Sequence, residues 1–527
     1  MMKPLFPLTI VILLTAGCSI RQPVNQDNVT PEQLSAGFVN PPDSVKPWVY
    51  WYWISDNNTR EGITKDLEAM RDAGIGEALI GNIGYEGMPY GKDRILSEGW
   101  WQLIEHAIRE GKRTGVNIGL FNSPGWSQSG GPWVKPGEAM RHLVSSEMKI
   151  EGGRKIVTKL PAPVNLLQDI RTVAYPMPEN DDSVLCSRNS MISSIPVLDN
   201  AELLTDGDTG TVCLFKKAGS SKEIIFDIKS RNVFSARSIT LCPGKIPFAA
   251  DIEIQIYENG IYRSVRKFRY DRSNPKINVG PYPSGPVTVA LPEVSSVNFR
   301  LVMSNFSLSN YLTNLPNMAS DAALSEISLS SAPMVENYIE KQLGKMCQTP
   351  FPLWDAYLWK PQAETGTPSM KIDPGTVVDL TKNVSADGTL TWDAPEGKWI
   401  IMRTGAALTG AVNAAAAPHA MGWEVDKMNR EHLKRHFDAY IGELLKRMPA
   451  EDRTALKHVV LDSYEQGSQN WTDGMIEDFV SGFGYDPVPW LPVLSGRIVG
   501  SAGQSDRFLW DLNKTSEIPE DPVRRFV

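Results

Sequence analysis

Residues 459–472 read VVLDSYEQGSQNWT: an apolar run stops at Asp462 and Glu465, then opens into amides, hydroxyls and the indole of Trp471. A short run of that kind reads as a buried parallel strand. Carboxylates just past its C-terminal end stand where βα folds carry their chemistry. Alternation sends Asp462 and Tyr464 to one side and Ser463 and Glu465 to the other. Burial beneath indoles would raise a carboxyl pKa, which suits a proton donor. The competing reading is an Asp that caps the next helix, or a surface salt bridge. A second cluster, PHAMGWEVDK at 418–427, gathers Glu424, Asp426 and Lys427 around Trp423. Such a set could ligate a cation through oxygens or hold sugar hydroxyls. Equally, Glu424 and Asp426 could favour the dipole of the helix that follows. His419 alone diagnoses nothing.

The elements that must position these groups alternate along the first 150 residues. WVYWYWI at 48–54 is a strand, rich in aromatic and β-branched residues. A helix follows, with Ile63, Leu67 and Met70 on one face and Gly74 as its stop. A second strand at 77–80, a helix at 98–114 and a third strand at 116–121 complete the series. That order argues for parallel βα units. The loops at the strand ends hold Trp51, Trp53, Asn122 and Trp126, which are expected to contact substrate together with Glu424, Asp426, Asp462 and Trp471.

The pattern changes at about residue 151. Short alternating segments such as EIIFDI at 223–228 and NFRLVM at 298–303 are separated by Gly, Pro, Ser and Asn. The expectation is an all-β sandwich inserted at 151–345, with a core at about 190–332 that resembles galactose-binding-like jelly rolls. Asp206 and Asp208, in LTDGD, could contribute to a calcium site or form a solvated turn. Alternation returns from 346. WIIMRTG at 399–405 reads as a strand, 429–448 as a helix with Leu433, Phe437, Tyr440, Ile441 and Leu444 in register, and 472–483 as another helix. Five or six βα-type units are counted in all.

A chain of 527 residues calls for two or three domains. The formal charge of −8 is spread among interspersed acids and bases, and no basic stripe suggests a nucleic-acid surface. The 15 tryptophans exceed what a core needs, and sugar-stacking platforms would use the rest. At the N-terminus, Lys3, an apolar run at 8–14 and Thr15–Ala16–Gly17–Cys18 resemble a bacterial lipoprotein signal at 1–17. Cys18 is then the lipidated residue and 18–37 a polar tether. The protein is expected to be exported to the outer membrane, facing the periplasm or the cell surface, and held there by the lipid. Cys186, Cys213, Cys242 and Cys347 have no metal-like spacing; some could pair, or all could be core thiols.

PWVYWYWI, TREGITKDLEAMRDAGIGEALI, NSPGWSQSGGPW, GWEVDKM, LDSYEQGSQNWT and FGYDPVPWLPVLSGRIV, in that order, resemble glycoside hydrolase family 106, the α-L-rhamnosidases, from about residue 38 onward. The resemblance implies a (β/α)8 TIM-barrel-like catalytic domain, divided here into 38–150 and 346–527 by the β insertion. It implies hydrolysis of terminal α-L-rhamnose from a polysaccharide or glycoside with inversion, and an active-site calcium near the sugar hydroxyls. Glu465 resembles the family's general acid. Inversion also needs a base across the ring, roughly 6.5–9.5 Å from the acid. No carboxylate after Tyr485 ends an apolar strand, since Glu517, Glu520 and Asp521 fall in a Pro-containing tail. The expectation is an N-terminal portion of a longer enzyme, with an incomplete barrel and a base beyond Val527. The alternative is a non-catalytic carbohydrate-binding protein, or an adhesion lipoprotein working through its sandwich.

Overall fold

The computed structural model describes residues 30–216, 218, 221–273, 285–307, 321–342, 360–461 and 469–515. Four strands, Trp48–Ile54, Glu77–Ile83, Asn117–Phe121 and Leu456–Val460, form a parallel sheet in that order. The helices Arg60–Asp72 and Glu98–Thr114 make the first two crossovers. Each starts at a side-chain cap: Thr59 accepts from the Gly62 amide and Ser97 from the Trp100 amide. The second helix stops at Gly115, where φ is 80°.

The two faces of this sheet differ. Trp51, Trp53, Ile80 and Leu120 pack beneath the helices with Ile63, Leu67, Trp100 and Ile104. Tyr440, Ile441 and Leu444 of the helix Arg430–Arg447 join the same core. On the other face Trp48, Tyr50 and Tyr52 are exposed. The sheet curls toward that face, because the rings of Trp48 on the first strand and His458 on the fourth approach to 4.6 Å across two intervening strands. Beneath them His458 Nδ1 lies 2.6 Å from a carboxylate oxygen of the buried Glu77. The described residues supply four parallel strands rather than eight, and they do not close a barrel.

One expected βα strand belongs elsewhere. Lys398–Leu408 runs antiparallel between Arg141–Glu151 and Leu166–Pro176 in a second four-stranded sheet. It is buried on both faces. Ile400 and Met402 pack with the helical segments Met475–Phe483 and Ala502–Thr515, while Trp399 and Ile401 pack under the two-stranded sheet of Arg154–Lys159 and Thr389–Ala394. A strand covered on both sides is continuously apolar whichever way its neighbours run, so its sequence does not report direction. The two C-terminal helices therefore cover this antiparallel sheet, not the parallel one.

The β insertion is an antiparallel sheet of seven strands between Ser190 and Ser330. Its two long strands, Glu223–Pro243 and Val287–Ser307, shift register between Ala290 and Val294 and between Ser296 and Asn298. Both halves of each strand pack on a single core around Phe215, Phe226, Phe248, Tyr270 and Phe299. The sheet thus folds over on itself. Asp206 and Asp208 form a local turn: Asp206 accepts from the Asp208 amide and the Thr211 hydroxyl, and Asp208 from the Gly210 amide. Cys186, Cys213 and Cys242 are free thiols; Cys18 and Cys347 lie outside the described residues. Among the described residues no helix is long and apolar enough to cross a membrane.

Beside that turn, burial pushes the Glu326 carboxyl up to about 7 from the ordinary 4.5, although the Gly207 amide donates to it. A raised folded-state value means the folded chain holds this proton longer than the unfolded chain. Stability from this group is full below 4.5 and is lost as pH rises through about 7. Glu326→Gln is expected to melt higher than the parent at pH 8 and to show a smaller difference at pH 5. Melting curves of both proteins at the two pH values check this; equal differences contradict it.

Candidate active site

The C-terminal ends of the four parallel strands converge on one edge of the sheet. After the first strand the backbone enters the left-handed region at two successive non-glycine residues, Ser55 (φ 48°) and Asp56 (φ 58°). The Ser55 amide donates to the Ile83 carbonyl, and the Gly91 amide donates to the Ser55 carbonyl, which fixes this bend. It buries the Asp56 carboxyl, whose pKa is raised by that burial against the Ile95 amide, His419 and Arg94. His419 Nε2 is 3.7 Å from the buried Asp56 Oδ2, beyond hydrogen-bonding distance. An Asp at the end of a strand gives no sign of whether the chain will later fold over it.

The third strand runs into a loop that is polar in composition yet buried. Asn122, Ser123, Ser127, Gln128 and Ser129 are all sequestered, while Trp126 in their midst is exposed. Asn122 Nδ2 donates to the Gln128 carbonyl at 3.2 Å, while Asn122 Oδ1 and both amide atoms of Asn82 have no partner within the protein. Buried amides in that state call for water or a ligand hydroxyl. A loop at 410–425 lies across these ends. Its Ala414 carbonyl accepts from the Trp126 amide at 2.9 Å and its Ala415 carbonyl from the Gly84 amide at 2.8 Å. The approach requires glycine at 84, since a Cβ there would sit 2.7 Å from the Ala417 nitrogen. Gly125 is required twice over, by a φ of 84° and by the Ala414 carbonyl at 2.9 Å from its would-be Cβ.

Behind the loops lies a buried charge network. Glu424 Oε2 accepts from Ser129 Oγ at 2.6 Å and Lys427 Nζ at 2.8 Å. Burial opposes its ionisation, but Lys427 and the serine hydroxyls outweigh that and hold its carboxyl below the usual range. Asp426 Oδ1 accepts from Gln469 Nε2 at 2.7 Å and the Met428 amide at 3.0 Å. Its Oδ2 accepts from Thr472 Oγ1 at 2.8 Å and Arg141 Nη2 at 3.2 Å. Burial again opposes ionisation, and these donors with His432 overcome it. Deeper still, Trp133 Nε1 donates to Nδ1 of the buried His436 at 3.1 Å, and burial pushes that imidazole down to about 4, so it is neutral.

The structure therefore separates the residues expected to touch substrate. Trp51 and Trp53 face the helices and serve as core. Trp471 is buried against the antiparallel sheet with Leu143, Met475 and Phe479. Glu424 and Asp426 face inward and are paired with Lys427 and Arg141, while Glu424 Oε1 has no partner within the protein. Asn122 and Trp126 stand at the strand ends. Asp462 and Glu465 lie outside the described residues; the strand leading to them ends beside Asn122, whose amide donates to the Val460 carbonyl at 3.1 Å. Among the described residues no three acidic, His or Cys side chains converge as a metal site. Arg141, the counter-ion of Asp426, was missed in sequence because it is remote along the chain; Lys427 stood in the same cluster, but its pairing with Glu424 is shown only by the fold.

The chain matches the model of glycoside hydrolase family 106, described as alpha-L-rhamnosidase, over residues 39–518. It is similar to a solved structure of a rhamnosidase from Novosphingobium sp. PP1Y, at TM-score 0.74 and 27% identity, covering 92% of this chain and 44% of that one. It is also 26% identical over 493 residues to a protein of Formosa agariphila named "Putative beta-glucuronidase", covering 93% of this chain and 29% of that one. The chain thus spans less than half the length of either relative.

Proposed function

The chain belongs to glycoside hydrolase family 106, the alpha-L-rhamnosidases, and from that we propose that it removes terminal α-L-rhamnose from a polysaccharide or glycoside by inverting acid/base hydrolysis. The family match over residues 39–518 carries the reading. The buried, unpartnered amide of Asn82 and Oδ1 of Asn122 support it, because they lie at the strand ends where a sugar's hydroxyls would need partners. In this proposal Glu465 protonates the leaving oxygen, and a second carboxylate outside the described residues activates water on the opposite face of the ring. The curled parallel sheet belongs to a (β/α)8 barrel, and the all-β unit is a galactose-binding-like module. The calcium that the family resemblance implied has no cluster of three acidic, His or Cys side chains among the described residues, and no step depends on it. Cys18 carries the lipid that holds the protein at the outer membrane.

The experiment is hydrolysis of an aryl α-L-rhamnoside by the full chain, followed by proton NMR of the first product. Release of L-rhamnose initially as the β anomer is expected. The α anomer first would refute inversion. The name of the Formosa agariphila relative makes an aryl β-glucuronide the second substrate to run, and release from the glucuronide alone would replace the rhamnosidase reading. Against that outcome, Lys427 and Arg141 are already paired with Glu424 and Asp426.

A further inference from the structure

We propose that Trp126 and Tyr85 form a two-ring platform that holds one sugar ring of the glycan by its apolar C–H face. This deepens the glycosidase reading and rests on it for the identity of the ligand. From residue 118 to residue 131 every residue is buried except Trp126, which is 51% exposed. A large aromatic surface left in water forgoes its burial energy. Here it does so on a loop with no freedom to turn it inward: the Gly125 amide donates to the Asn82 carbonyl at 2.8 Å, the Trp126 amide to Ala414, and Asn413 Nδ2 to the Pro124 carbonyl at 3.0 Å.

Tyr85 is the second ring, 62% exposed at the end of the adjacent strand. Its amide donates to Ser55 Oγ at 3.0 Å, and the preceding Gly84 amide donates to Ala415. Trp126 and the residue preceding Tyr85 are thus anchored on consecutive carbonyls of one backbone, Ala414 and Ala415. The covering loop carries only methyl side chains at residues 414–417. Isolated exposed aromatics need no explanation; two on one rigid base, beside buried amides without partners, make a shaped surface. Its chemistry fits a pyranose, whose C–H face lies on the rings while its hydroxyls remain free for Asn82 and Asn122. A charged ligand is disfavoured, since Glu424 and Asp426 are sealed with their cations.

The test uses the full chain with a rhamnose-terminated oligosaccharide and, separately, a small aryl α-L-rhamnoside. Trp126→Ala is expected to raise KM for the oligosaccharide about tenfold and Tyr85→Ala about threefold. In both, kcat should fall less than twofold, and Trp126→Phe should recover most of the loss. Calorimetric titration of the oligosaccharide into Glu465→Gln, with and without Trp126→Ala, reads binding apart from turnover. If the parent hydrolyses nothing but Trp126→Ala still weakens binding, the platform stands and the hydrolase reading fails. If the parent hydrolyses the oligosaccharide and Trp126→Ala changes neither KM nor affinity, the platform is overturned. A fall in kcat alone also overturns it, because that places Trp126 in the chemistry.

Discussion

Glu465→Gln is expected to lower kcat by about 10³-fold on a natural rhamnoside, within the range that a positioned general acid contributes. The effect should depend on the leaving group. A sugar or alkyl alcohol must be protonated as it departs, so its hydrolysis collapses without the acid. A nitrophenolate leaves as a stable anion, and its hydrolysis should fall far less. The basic limb of the pH–rate profile, which reports loss of that proton, should disappear with the carboxyl. Steady-state rates on a natural and an activated rhamnoside, with pH profiles of both proteins, check this. An equal loss on both substrates, with the basic limb retained, assigns Glu465 a different role.

Asp426→Ala is expected to destabilise the chain by about 3–5 kcal/mol, the cost of breaking a buried ion pair by removing one partner. The side chain is fully buried, and its loss leaves Arg141 buried with the half-exposed Asp473 as its remaining acid. It also strands Gln469 and Thr472, which join Asp426 to the segment following the acid-bearing strand. Asp426 is held below the usual carboxylate range, so its contribution is present above the unfolded value and is lost as pH falls through the folded one. The parent should therefore lose stability on acidification more steeply than the variant. Thermal melts at neutral and acid pH measure both effects. A variant that melts within about one degree of the parent at neutral pH would falsify this assignment.

Much of the catalytic half was legible in the sequence because its signals are local. WVYWYWI marks a strand through propensity, and Ile63, Leu67 and Met70 mark a helix through periodicity, neither of which needs a partner. The helix carrying Tyr440, Ile441 and Leu444 was visible from its periodicity for the same reason. Glu424 and Asp426 show the opposite case. Their spacing is compatible with a ligand set, and only the arrival of Lys427 Nζ on one and Arg141 on the other makes them structural.

By itself, then, the sequence determined the strand–helix alternation of the parallel sheet, the all-β insertion and the family, because side-chain period, caps and ordered motifs are properties of contiguous residues. The tertiary structure decided the rest. It set the direction of Lys398–Leu408, which depends on neighbours far along the chain. It also decided which aromatic residues face water. Trp53 and Trp126 are the same side chain at the ends of the first and third parallel strands, yet one is sealed beneath Trp100 and the other stands clear of a buried loop. Exposure is a property of what covers a residue, and the loop that passes over these strand ends arrives from nearly 300 positions away.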